Sequence, residues 1–288
     1  MSLDLELLKQ LRDITGAGIL DCKKYLVRAN NVLDDAIKLM RSEEGIKADK
    51  KSARIAAEGV VCFKSNSLKS LLIEINSETD FVARGDDFLS YVDQTCEMII
   101  SSPYNSLEML MDSSDDKIKN DLEELRKNYI TKLGENIQIR RFHSIDNSEN
   151  FVTGYTHNSK IGATVTLAKE DNQLSKDICM QIVASNPLGL DEKSLDKSIL
   201  DNERDVYKAE LDKIDKKDDI KRNIMDGKVK KFISDNTLLN QPYIKDGSLN
   251  LQKIIKDNEI ISYSRYQLGE GIEKKQEDFA DEVYGQIK

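Results

Sequence analysis

One order of elements occurs twice in this chain, and it limits the fold more than any single motif does. Val60–Val61–Cys62–Phe63, a polar turn at Ser65–Asn66–Ser67 and Leu71–Leu72–Ile73–Glu74–Ile75 read as a strand hairpin. A helix-period run follows, with Phe88, Leu89, Val92, Cys96, Ile99 and Ile100 on one face, and Pro103 stops it. A charged helix over 115–132, with Leu122, Leu125 and Ile130 inward, leads to a strand at Ile137–Gln138–Ile139–Arg140–Arg141–Phe142. The pattern then returns. Phe151–Val152–Thr153–Gly154–Tyr155, a turn at His157–Asn158–Ser159–Lys160 and Ile161–Gly162–Ala163–Thr164–Val165–Thr166–Leu167 mirror the first hairpin. A helix from Leu174 to Val183, carrying Leu174, Ile178 and Ile182 on one face, ends before Pro187. Residue-by-residue similarity is weak, but the matching order predicts an α+β core of two related subdomains with antiparallel strands, 58–146 and 147–272.

Other segments surround this core. Residues 1–45 hold three short helical stripes: Leu3, Leu7, Leu8 and Leu11; Cys22, Leu26 and Ala29; Leu33, Ala36, Ile37 and Met40. Thr15–Gly16–Ala17–Gly18 breaks the first from the second, and Asn30–Asn31 the second from the third, with Asn31 as the expected N-cap. Such a small bundle has a thin core and suits docking better than catalysis. Residues 46–57 read as a solvated linker, helical or extended, whose basic cluster would alternatively suit an acidic partner. Within 191–235, Tyr207, Leu211 and Ile214, then Met225, Val229 and Phe232, form two stripes around Asp215–Lys216–Lys217–Asp218–Asp219. That describes an inserted antiparallel helical hairpin, a short coiled coil fit for protein contact or dimerisation, or a solvated pair without a partner. A helix near Leu249–Ile255, a strand near Ile260–Tyr266 and a turn at Gly269–Glu270–Gly271–Ile272–Glu273 follow. The segment 273–288 closes the chain as a helix with Phe279, Val283 and Tyr284 on its apolar face.

Composition removes several classes of function. Lys and Arg total 43 against 52 Asp and Glu, and the net charge of -9 argues against direct, sequence-independent nucleic-acid binding. The charged N-terminus lacks the pattern of a signal peptide, and no apolar run approaches a membrane span, so a cytoplasmic protein without membrane contact is expected. Cys22, Cys62, Cys96 and Cys179 are scattered in apolar-periodic segments and read as reduced core residues. With only His143 and His157 beside them, no metal-ligand spacing arises. Gly16–Ala17–Gly18 and Gly269–Glu270–Gly271 lack the context of a dinucleotide fingerprint, and no phosphate-binding loop or nucleophile elbow is present. Glu78, Asp80 and His157 are the acid–base candidates, but paired charges of this kind are too common to specify an active site. The reading is a non-enzyme without cofactor or metal.

The connection between the first hairpin and its helix is unusual. In Glu74–Ile75–Asn76–Ser77–Glu78–Thr79–Asp80–Phe81–Val82–Ala83–Arg84, an aromatic and an aliphatic residue directly follow an acid. Either Asp80 caps the next helix while Phe81 and Val82 fill the core, or the turn presents a wedge that another protein receives.

Several stretches, in order along nearly the whole chain, resemble the translation elongation factor Ts family. They are Leu11–Arg12–Asp13–Ile14–Thr15–Gly16–Ala17–Gly18–Ile19–Leu20–Asp21–Cys22–Lys23–Lys24, then Glu74-x-Asn76-x-x-Thr79–Asp80–Phe81–Val82–Ala83. Gly134–Glu135–Asn136 with Arg140–Arg141 and Tyr155-x-His157-x-x-Lys160–Ile161–Gly162 come next. Lys230–Lys231–Phe232, Gln241–Pro242 and Gly269–Glu270–Gly271–Ile272–Glu273–Lys274 complete the series. The resemblance implies a ubiquitin-associated-like N-terminal domain and a factor that binds elongation factor Tu, GDP-bound or nucleotide-free, and releases GDP. It implies the wedge reading for Thr79, Asp80, Phe81 and Val82, which would disturb the partner's Mg²⁺ and phosphate site. It further implies docking through Arg12, Ile19 and Leu20, and through His157, Lys160, Ile161 and Gly162. Ile19–Leu20 stands where many members carry two methionines, which keeps the contact apolar. Gln181 and Asn186 stand where His and Lys are expected, and no role is carried over to Gln181.

Overall fold

The computed structural model describes residues 5–15 and 18–273 and forms two compact units. The first gathers the described residues of 1–61, 73–143 and 267–288; the second gathers 62–72 and 144–266.

In the first unit, α1 (Leu5–Thr15), α2 (Ile19–Arg28) and α3 (Leu33–Lys51) pack around Leu11, Cys22, Tyr25, Leu26, Ala29, Ala36 and Met40. Tyr25, absent from the expected stripe, is fully buried and completes this small core. Asn30 and Asn31 both adopt left-handed backbone (φ 54° and 61°), which asparagine tolerates, so Asn31 builds the turn and α3 starts two residues later. Helix α3 then continues to Lys51 and packs on α7, so helix occupies much of the stretch read as a linker.

Strands β1 (Glu58–Ser65), β2 (Lys69–Ser77) and β3 (Ile137–Asp146) form one sheet in the order β1-β2-β3. Gly59, at φ 131°, is required where β1 crosses β2: an added Cβ would lie 2.1 Å from the Ile75 carbonyl oxygen. Between β2 and β3 come α4 (Asp80–Ala83), α5 (Asp86–Ile100), α6 (Leu107–Asp112) and α7 (Asp116–Leu133). Helix α5 buries Phe88, Tyr91, Val92, Cys96, Ile99 and Ile100. Leu89, expected inward, is 42% exposed; Tyr91 turns inward instead and meets Tyr129 of α7 at a ring-centroid distance of 5.4 Å. Helix α6 was not expected. Its start is fixed by Ser106, whose Oγ accepts from the Met109 N–H at 3.2 Å.

The second unit contains β4 (Phe151–His157), β5 (Ile161–Leu167), α8 (Asn172–Ser185), α9 (Lys197–Asp212), α10 (Asp218–Asn236), β6 (Pro242–Tyr243), β7 (Asp246–Asn250), α11 (Leu251–Ile255) and β8 (Ile260–Gln267). Strands β4 and β5 pair antiparallel from Phe151↔Leu167 to His157↔Ile161, and β8 joins them in the order β4-β5-β8. Helix α8 covers this sheet, and Ala163, Val165, Leu167, Leu174, Ile178, Cys179, Ile182 and Ile260 share one core. Asp171 starts α8 and Asn186 ends it in the left-handed conformation (φ 46°), its N–H donating to Ile182 O at 3.1 Å. Buried Gln181 donates to Gln241 Oε1 and accepts from the Ile244 N–H at 3.2 Å, so a neutral amide with both functions suits this position.

Helices α9 and α10 form the inserted hairpin, with Val229 and Phe232 packed on Leu195, Leu200 and Ile233 near its base. Leu211 is buried as the stripe requires, whereas Ile214 lies past the end of α9, 41% exposed. The β6–β7 ribbon was not expected. Short strands with polar, glycine-containing sequence give little periodicity to read. Cys62, expected in the core, is only half-buried, while Cys22, Cys96 and Cys179 are buried. The expected terminal helix with Phe279, Val283 and Tyr284 lies outside the described residues. The fold class is α+β, with helices and antiparallel strands together.

Candidate partner-binding site

Thr79, Asp80, Phe81 and Val82 leave the end of β2 as a single helical turn. The N-cap is Thr79, whose Oγ1 accepts from the Val82 N–H at 3.3 Å; Asp80 is the first helical residue and pairs with Arg84 at 2.8 Å. The turn then ends at Gly85, which starts α5, so Asp80 does not cap α5. Phe81 is not in the core. It is 84% exposed, while Ala83 of the same turn is buried and anchors it. A phenylalanine buried in a partner gains about 1.5–3 kcal/mol over one left in water.

Glu135 holds the turn directly, and Glu78 holds the segment that carries Glu135. Glu135, just after the left-handed C-cap Gly134 of α7, accepts from the Thr79 N–H at 3.0 Å and from Thr79 Oγ1 at 2.6 Å. Glu78 in turn accepts from the Asn136 N–H at 2.6 Å. The Asn136 side chain donates to Arg54 O at 2.9 Å and Ser52 O at 3.4 Å, and Arg54 pairs with Glu78 at 3.5 Å. Ser77 Oγ donates to Thr79 O at 2.9 Å.

Earlier in β2 lies a buried charge. Glu74, with no exposed surface, accepts from Arg140 Nη1 at 2.8 Å, Arg141 Nε at 2.7 Å and the Gly269 N–H at 2.8 Å. Arg141 also pairs with Glu270 at 3.2 Å, and Arg140 donates to Glu270 O. Burial works against the Arg141 cation, but the hydrogen bond and charge of Glu74 outweigh it and raise its pKa further. Gly269 is left-handed (φ 69°), and an added Cβ would lie 2.6 Å from Ala57 O. Fragments separated in the sequence form two clusters along β2: 74, 140–141 and 269–270 meet around Glu74, and 78–79 meets 135–136 at the exposed turn.

The other site residues sit elsewhere. In the first unit, Arg12 is exposed in the last turn of α1, and Ile19 and Leu20 open α2 at 53% and 82% exposure. Ile14, 59% exposed on α1, adds a third apolar side chain flanking the α1–α2 connection; it stands outside the core-facing stripe, the signal that would have picked it out. In the second unit, His157 ends β4, Lys160 lies in the β4–β5 turn, and Ile161 and Gly162 open β5. Asn158 and Ser159 are both left-handed (φ 52° and 53°), and the Lys160 N–H donates to His157 O at 3.0 Å. His157 is exposed and fixed through Tyr155 Oη at 3.1 Å and Asn158 Nδ2 at 3.3 Å; Ile161 is half-buried and Gly162 buried.

Each of the acid–base candidates has its own partners. Glu78 is engaged by Asn136 and Arg54, Asp80 by Arg84, and His157 belongs to the other unit. Among the described residues, no three His, Cys, Asp or Glu side chains gather as a cation would need, and no helix is long and apolar enough to cross a membrane.

A family model described as Elongation factor TS matches residues 78–270. The Elongation factor Ts of Alkalilimnicola ehrlichii is 39% identical over 292 residues, covering 100% of this chain and 99% of that protein. The one from Thioalkalivibrio sulfidiphilus is 38% identical over 293 residues, with the same coverage. That of Legionella pneumophila (strain Lens) is 36% identical over 288 residues, covering 98% and 97%.

Proposed function

The chain belongs to the elongation factor Ts family, and on that premise we propose that it catalyses no bond chemistry but exchanges guanine nucleotide on elongation factor Tu in the cytoplasm. It binds the GDP-loaded partner, inserts Phe81 beside the Mg²⁺ and phosphate site, and leaves the nucleotide-free complex for GTP to enter. The single observation carrying this reading is Phe81, 84% exposed on a turn that is itself pinned by hydrogen bonds. An aromatic side chain on a fixed turn reaches an apolar crevice without first losing conformational freedom.

The energetics need no active site. In a GTPase, Mg²⁺ and the phosphates hold each other, because the ion neutralises phosphate charge. Contacts that displace elements around the ion weaken GDP, and by linkage GDP weakens those contacts equally. Each tenfold of weakening takes about 1.4 kcal/mol of differential contact. Burying Phe81 supplies about one such step on its own. The rest comes from docking. Arg12, Ile19 and Leu20 on the ubiquitin-associated-like helices would meet one region of the partner, and His157, Lys160, Ile161 and Gly162 another. The core is read as two related subdomains, and the α9–α10 hairpin as a contact arm with exposed Val206, Ile214 and Ile220, for a second copy or another chain.

Release of a fluorescent GDP from bacterial elongation factor Tu tests this directly. Rapid, concentration-dependent release is expected, slowed at least tenfold in Phe81→Ala at an unchanged melting temperature. Release that this protein does not accelerate would reject the exchange reading. Full activity in folded Phe81→Ala would reject the wedge.

A further inference from the structure

We propose that Glu135 is a positioning residue for the wedge, acting through Thr79; this rests on the exchange reading above. Helix α4 has four residues, too few for a helix to sustain itself, since one turn fixes several dihedrals for a single hydrogen bond. Phe81 gives it no burial. The conformation that points Phe81 outward is therefore imposed from outside, and the contacts identify the source.

Thr79 has one hydroxyl proton. An ionised Glu135 only accepts, so the Thr79 hydroxyl donates to Glu135 at 2.6 Å and keeps its lone pairs for the Val82 N–H at 3.3 Å. The direction of this relay is thus fixed by chemistry. Glu135 also takes the Thr79 N–H at 3.0 Å, so one carboxylate holds both the backbone and the cap of the turn. Charge assistance makes these the stronger kind of hydrogen bond. The carboxylate itself is well anchored: Gly134 ends the eighteen-residue helix α7 in a left-handed cap, and the next residue, Asn136, returns its N–H to Glu78 at 2.6 Å. The two segments exchange carboxylates, 135 to 79 and 78 to 136, and the turn is set between them. Glu135 touches neither nucleotide nor metal in this scheme. It fixes where Phe81 points before the partner arrives.

The test compares Glu135→Ala, Glu135→Gln and Phe81→Ala in the full chain. The readouts are GDP release from elongation factor Tu, resolved into maximal rate and half-saturating concentration, and amide hydrogen exchange at Thr79 and Val82. For Glu135→Ala the maximal rate should fall at least tenfold, since two charge-assisted hydrogen bonds to Thr79 are lost. The half-saturating concentration should change much less, because docking elsewhere is untouched, and both amides should lose protection. Glu135→Gln, which keeps an acceptor but not the charge, should fall between; it also serves should the alanine variant fail to fold. Thr79→Val combined with Glu135→Ala should lose less than the product of the two separate losses, since both remove the hydroxyl–carboxylate bond. A folded Glu135→Ala with full maximal rate and protected amides, beside a slow Phe81→Ala, would overturn the positioning role and leave the wedge standing. A fast Phe81→Ala would overturn both.

Discussion

Glu74 shows how much a single side chain carries. It is a carboxylate without exposed surface, and two arginines and a backbone N–H satisfy it. Removing one member of a buried ionic group leaves the others uncompensated, at a cost of about 3–5 kcal/mol. Glu74→Ala should therefore lower the urea midpoint by that equivalent while leaving the urea dependence of the unfolding free energy unchanged, and Glu74→Gln should cost less. In the sequence, Glu74 reads as one charge at the end of a strand, and nothing local tells that Arg140, Arg141 and Gly269 surround it. The family resemblance marks these residues together without saying why. Phe81 is the opposite case. Its oddness beside Asp80 was legible, but its direction was not, because an aromatic residue at a strand end fits a core as well as a surface. Leu89 and Tyr91 make the same point inside a helix: both lie near the edge of the stripe, and contact with Tyr129 of α7 selects tyrosine.

At the scale of elements, boundaries set by local chemistry read well and those set by packing do not. Helices α5 and α8 end before Pro103 and Pro187 because proline disfavours helical backbone in the residue before it. Helix α3 outruns its apolar stripe, since it packs on α7 as well as on α1 and α2. The seam of the α9–α10 hairpin shifts toward Leu195, Leu200 and Ile233, residues outside the two stripes, and Ile214 is left in the turn. Asn186 offers a clean test of an element end. Its left-handed backbone costs a Cβ-bearing residue about 1–2 kcal/mol unless a short polar side chain or glycine occupies it. Asn186→Gly should leave the melting temperature almost unchanged, whereas Asn186→Ala should lower stability by about 1 kcal/mol in chemical denaturation.

At the scale of the whole molecule, the two histidines separate stability from surface chemistry. Burial of His143 in β3 disfavours its charged form and holds its pKa below the ordinary 6.5, while His157 is exposed. The folded state then binds fewer protons than the unfolded one, so stability is complete above pH 6.5 and declines as pH falls through the lowered folded value. The melting temperature should drop between pH 7.5 and 5.5, in the range of about one unit either side of an ordinary histidine, and His143→Gln should flatten that drop. Glu74 adds a clock. Arg141 follows it by 67 positions, but Gly269 follows it by 195. At about 5–20 residues per second of synthesis, the arginines reach Glu74 within roughly 3–13 s, and the last donor only after roughly 10–40 s. While the second unit is being made, Glu74 waits one hydrogen bond short, and Arg140 and Arg141 wait for their contacts with Glu270. Slow codons between 143 and 267 would stretch that interval and leave the Glu74 carboxylate incompletely satisfied for longer.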